Sequence, residues 1–132
     1  MAFNSFTYDW SDKVILLVED EPICCLFFQS VFRETESVLL FAYNGEEAVS
    51  MIKNHSKIDL VLMDIKLPLM DGLEASRQIK KIRPELPIIV QTAYALNNER
   101  QKAMEAGCDD YFTKPIQIEV LMEKIEKIFM TS

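Results

Sequence analysis

Five short stretches of this chain are apolar at consecutive rather than alternating positions: Val14–Val18, Val38–Ala42, Leu60–Met63, Ile88–Val90 and the brief Tyr111–Phe112. A strand with one wet face alternates apolar and polar side chains. Continuous runs of this length belong to strands covered on both faces, as in a parallel sheet flanked by helices. The intervening segments carry helical period. Ile23, Leu26, Phe27 and Val31 form one predicted core stripe, Ala48, Val49 and Ile52 a second, and Ala75, Ile79 and Ile82 a third. The last helix is the clearest, with Ile118, Leu121, Met122, Ile125, Ile128 and Phe129 in register to its end. Pro22 suits a first helical turn, Asn44-Gly45 reads as a turn into the second helix, and Pro84 and Pro87 bracket a loop. The fourth helical segment, Asn97 to Ala106, offers little beyond Ala103, Met104 and Ala106 for docking. Few apolar contacts predict a low local opening free energy.

A strand followed by a helix, five times over, predicts a doubly wound α/β domain. The expected form is a flavodoxin-like five-stranded parallel sheet of order 2-1-3-4-5, with ligands at the carboxyl ends of the strands. Residues 13–130 make up this domain. Residues 1–12 carry Phe3, Phe6, Tyr8 and Trp10 in neither period, and read as a linker or an arm lying against the surface. A net charge of −7 argues against a nucleic-acid surface. No apolar run approaches the roughly 20 residues that span a bilayer, so no membrane contact is expected of this domain. Cys24, Cys25 and Cys108 form no C-x-x-C pair, which suits free thiols in a reducing, cytoplasmic setting.

The strand ends carry the chemistry. The first apolar run stops at Glu19-Asp20-Glu21, the third at Asp64, the fourth at Gln91-Thr92-Ala93 and the fifth at Thr113-Lys114-Pro115. A buried strand has no structural use for a carboxylate at its tip, because an unpaired buried charge is costly. Mg²⁺ binds through one or two carboxylates together with water and phosphate oxygens, which Glu19, Asp20 and Asp64 can supply. Asp64 is read as the nucleophile, because Asp71 is better placed to cap the next helix. Glu21 is accounted for by the positive end of the first helix. Lys114, confined between a strand and Pro115, is a fixed charge for a phosphoryl oxygen. Thr92 adds a hydroxyl, with Ala93 leaving room beside it. Tyr111, taken alone, suits core and site equally. His55 lies in a polar turn and is no phosphoryl donor.

These residues, in this order, resemble the receiver domains of bacterial two-component signalling over about Lys13 to Met130. The matches are Val18-Glu19-Asp20-Glu21-Pro22, Met63-Asp64-Ile65, Leu67-Pro68-Leu69-Met70-Asp71-Gly72, Thr92-Ala93, and Gly107 through Pro115. The resemblance implies phosphoryl transfer from a histidine kinase or histidine phosphotransfer domain onto Asp64 with Mg²⁺. It also implies a cis Lys114–Pro115 peptide, Thr92 and Tyr111 as a switch pair, and a metal ligand in the backbone carbonyl of Lys66. A dimer through the fourth helix, fifth strand and fifth helix is a further expectation. Glu19 stands where the family often has Asp, which lengthens that arm. Lys66 and Tyr94, two residues beyond Asp64 and Thr92, are expected to set the lifetime of the phosphorylated state. Neither offers a carboxylate or amide to orient an attacking water.

The motif wording is similar to receivers fused behind hybrid sensor histidine kinases, which favours a fragment of such a kinase over a stand-alone regulator or a pure interaction module. A flavin-binding protein of this fold would need a phosphate loop where Glu19-Asp20-Glu21 stands. A dehalogenase-like phosphatase would need a second Asp at Lys66. The chain is accordingly expected to be a phosphoacceptor rather than a turnover enzyme.

Overall fold

The computed structural model describes residues 8–92 and 97–131. Strands and helices alternate without exception: β1 (Val14–Val18), α1 (Pro22–Arg33), β2 (Val38–Ala42), α2 (Gly45–Asn54), β3 (Leu60–Asp64), α3 (Gly72–Ile82), β4 (Ile88–Thr92), α4 (Asn97–Glu105), β5 (Asp110–Thr113) and α5 (Ile118–Thr131). The strands form one parallel sheet in the order β2-β1-β3-β4-β5, as the sequence predicts.

Alternate residues of each strand feed opposite layers. Leu16, Val18, Val61, Met63, Ile88 and Val90 join Ala48, Ile52, Ala75, Ile79 and Ala103 under α2, α3 and α4. Ile15, Leu17, Leu60, Leu62 and Ile89 join Phe28, Phe32, Leu121 and Ile125 under α1 and α5. Each such side chain withdrawn fully from water contributes about 1.5–3 kcal/mol before entropy is counted. Among the described residues, no helix is long and apolar enough to cross a membrane.

Local signals set the helix starts. Pro22 opens α1. The Asn44 side chain accepts the Glu47 N–H at 2.8 Å to begin α2, and Asp71 does the same for Glu74 at 2.9 Å to begin α3.

The predicted stripe on α1 is wrong. Ile23 is 75% exposed, Leu26 and Phe27 are also exposed and Val31 is only half-buried, whereas Phe28 and Phe32 fill the core. Residues 22–33 are apolar nearly all round, so periodicity could not say which stripe faces inward. Ile82 and Met104 likewise lie outside, while Ala103 and Ala106 are buried.

Trp10 is 3% exposed and belongs to the α1–α5 layer. Its indole N–H donates to Glu126 Oε1 at 2.8 Å, its ring meets Phe129 edge-on at 5.3 Å, and its backbone N–H donates to the Thr35 carbonyl at 2.9 Å. A single anchoring side chain leaves no period to read, which is why a linker or arm is all that pattern suggests for this segment.

Candidate functional site

Parallel pairing lines the strand ends up on one rim. Val18 pairs with Met63, so the next residues, Glu19 and Asp64, lie level; Asp64 in turn pairs with Gln91, and Gln91 with Phe112. Paired residues in a sheet project to the same face, which makes a row of Glu19, Asp64 and Gln91 walled by buried Phe112. Asp20, one residue further on, is exposed at the mouth. One carboxylate oxygen each from Glu19, Asp20 and Asp64 lies within 4.8 Å of the others. Thr92 and Thr113 pair at the ends of β4 and β5, and the Lys114 N–H donates to the Thr92 carbonyl at 3.0 Å. The Lys114–Pro115 peptide is cis, as expected.

The carboxylates differ in setting. Glu19 is 1% exposed and Asp64 8%. Burial, and then the charge of Asp64, push the Glu19 carboxyl up to about 7, against an ordinary 4.5. Burial also raises Asp64, opposed by the Lys114 ammonium and by the Lys66 N–H, which donates to Asp64 Oδ1 at 3.2 Å. Glu19 therefore keeps its proton to higher pH than an ordinary carboxyl does. The folded chain binds this proton more tightly than the unfolded chain, so stability is lost as pH rises from 4.5 through about 7. In EDTA, the thermal midpoint is expected to fall over that window, and Glu19→Gln should flatten the fall; a midpoint rising with pH across it would contradict the assignment. Burial and the Glu19 carboxylate also raise the Cys24 and Cys25 thiols, so neither is a thiolate competing with Asp64 as nucleophile.

The loop after Asp64 is folded back onto it. Gly72 N–H donates to the Ile65 carbonyl at 2.9 Å, and a Cβ at Gly72 would stand 2.1 Å from the Asp64 carbonyl oxygen. Gly45 plays a similar part against the same loop, where a Cβ would meet the Met70 carbonyl at 2.6 Å. Sequence reasoning assigned no role to Gly72 or to Gln91. The available signals were a glycine in a helix first turn, where it weakens the helix, and a lone primary amide in an apolar strand.

Tyr111 is half-buried and packs against the α2–α4 layer. The Arg100 guanidinium on α4 and the Lys124 ammonium on α5 lie 5.5 Å and 5.8 Å from its ring centroid. The Lys66 side chain is exposed. Ala93 and Tyr94 lie outside the described residues. A groove of about 400 Å³ runs between β5 and α5, lined by Asp110, Val120, Lys124 and Ile128, away from the carboxylates.

A family model for the response regulator receiver domain matches residues 15–126. The chain belongs to this family. Receivers similar to it occur in several settings. It is 44% identical over 121 residues to hybrid signal transduction histidine kinase G of Dictyostelium discoideum, covering 87% of this chain but 3% of that protein. It is 36% identical to the chemotaxis protein CheY of Halobacterium salinarum, covering 88% of this chain and 96% of that one. The chain thus spans a small part of its multidomain relatives and nearly all of a single-domain one.

Among solved structures, the receiver domain of the sensor histidine kinase PA1611 from Pseudomonas aeruginosa superposes with a TM-score of 0.80 at 32% identity, covering 87% of this chain and 95% of that one. That structure has a magnesium ion coordinated in its active-site cleft. The receiver domain of Ssk1 from Saccharomyces cerevisiae, crystallised with the histidine phosphotransfer protein Ypd1, gives 0.82 at 30% identity and 88% coverage of both chains.

Proposed function

We propose that this receiver accepts a phosphoryl group on Asp64 from a phosphohistidine, with Mg²⁺ held by Asp20, Asp64, Glu19 and the Lys66 carbonyl. The observation that carries the reading is the convergence of three carboxylate oxygens within 4.8 Å, with the Asp64 backbone pinned by Gly72. An all-oxygen, acidic donor set fits a hard divalent cation. When bound, the ion offsets the repulsion among the carboxylates and the charge of the incoming phosphoryl oxygens.

The chain's own residues do the rest. Asp64 presents its carboxylate in line with the donor: its oxygen forms the new P–O bond as the P–N bond breaks and the imidazole leaves with the electron pair. Lys66 N–H fixes Asp64 Oδ1. Lys114 balances charge beside both Asp64 and Glu19, and its influence on each supports the assignment. The Thr92 hydroxyl then binds a phosphoryl oxygen, and Tyr111 exchanges its position between Arg100 and Lys124 for the space released. The thin docking of α4, which among its described residues places only Ala103 in the core, suits that exchange. Lys66 and Tyr94 set the lifetime of the acyl phosphate through access of water.

The donor comes from another protein or domain. His55, the only histidine, follows the C-terminus of α2 at the opposite end of the sheet. Exposed Ile23, Leu26 and Phe27 on α1 stand next to the acid rim and suit the apolar face of a histidine-bearing helix. The higher identity to a hybrid kinase than to a single-domain relative supports a place in such a kinase, with free thiols in keeping with the cytoplasm. Exposed Met104 and Val120 on the α4–β5–α5 face would support a dimer there.

Incubation with acetyl phosphate and Mg²⁺ is expected to add one phosphoryl group by intact mass, and Asp64→Asn to remove it entirely. An undiminished mass shift in Asp64→Asn would refute the assignment.

A further inference from the structure

We propose that Gln91 is a positioning residue for the metal site, acting through Glu19. Gln91 is 2% exposed in the middle of the sheet, between Val90 and Thr92. A primary amide buried among apolar side chains is costly unless it is bonded. Its Nε2–H donates to Glu19 Oε1 at 3.4 Å, reaching past Asp64 from β4 to the end of β1. The other oxygen, Glu19 Oε2, accepts the Glu21 N–H at 3.2 Å. Both oxygens of Glu19 are therefore held by neutral donors that bring no competing charge.

This matters because Glu carries one more rotatable bond than Asp. A long side chain loses rotamer freedom when it is fixed, and a free Glu19 would have to lose it on binding the ion. The amide of Gln91 fixes that arm in advance, so the carboxylate waits in place beside Asp20 and Asp64. The role rests on the metal reading above, and it gives a buried polar residue a use that packing does not supply.

The test is calorimetric titration with Mg²⁺. Gln91→Met keeps the length and removes the donor. It is expected to weaken Mg²⁺ binding about tenfold, as losing a partner of a metal ligand commonly does, and to lower the thermal midpoint in EDTA modestly, because buried Glu19 loses a donor. Added to Glu19→Gln, the same substitution should cost nothing further, because the group it acts through is gone. Gln91→Leu serves as the second variant if Gln91→Met fails to fold. Wild-type affinity in Gln91→Met, or an undiminished loss in the Glu19→Gln background, would overturn the role alone. A wild-type chain that binds no Mg²⁺ would overturn the metal reading and this role together.

Discussion

Asp20→Ala is expected to lower Mg²⁺ affinity by more than about a hundredfold, since a directly ligating carboxylate should matter more than its outer partners. Of the three clustered acids, Asp20 is the exposed one, facing the mouth where an ion and its waters enter. Glu19 and Asp64 are already tied by neutral donors. The metal-free fold should not suffer. Removing one carboxylate of the cluster relieves repulsion, so the thermal midpoint in EDTA should hold or rise. Glu21→Ala is the control, because Glu21 is exposed and outside the cluster; its effect on Mg²⁺ binding should be small. Equal losses from Asp20→Ala and Glu21→Ala would mean that general acidity, and not a site, attracts the ion.

Gly72→Ala is expected to cost about 2–4 kcal/mol of stability, at the upper end for an overpacked site. The new methyl would stand 2.1 Å from a backbone carbonyl, which has no rotamer to yield with. Relief requires moving either the first turn of α3 or the end of β3, and the latter carries Asp64. The substitution should therefore weaken Mg²⁺ binding as well as the fold. Gly107→Ala separates the two kinds of strain. At φ 94 its backbone is unfavourable for alanine, yet a new Cβ would meet a side chain rather than backbone, with Lys80 Cγ at 3.2 Å. It should cost about 1–2 kcal/mol and leave Mg²⁺ affinity unchanged. Denaturant titration and calorimetry of both variants decide the matter; a Gly72→Ala protein as stable as wild type would show that the close approach is not constraining.

The sheet order and the rim of functional residues could be read from the chain because both follow from pattern. Doubly buried strands leave uninterrupted apolar runs, and polar residues at their carboxyl ends stand out against them. What pattern could not give was the choice between equivalent answers. On α1, Ile23 and Leu26 are as apolar as Phe28 and Phe32, and only the neighbouring α5 decides which pair is buried. Trp10 is anchored by one indole and its hydrogen bond to Glu126, a contact across 116 positions that no local window contains. Gly72 and Gln91 were missed for a related reason. Each matters through a close approach to another segment, the Asp64 carbonyl at the end of β3 or the Glu19 carboxylate at the end of β1, and such distances exist only after folding. Tyr111, which suited core and site equally in the sequence, packs half-buried on one layer with two cations near its ring.

Phosphoryl transfer onto the Asp64 carboxylate is tested most directly by the chemistry of the new bond. The wild-type chain, phosphorylated in Mg²⁺ and digested, should carry its phosphoryl group on the peptide containing Asp64, and hydroxylamine should remove it as it does an acyl phosphate. A hydroxylamine-stable phosphoryl group on any serine or threonine, with Asp64 unmodified, would contradict the account.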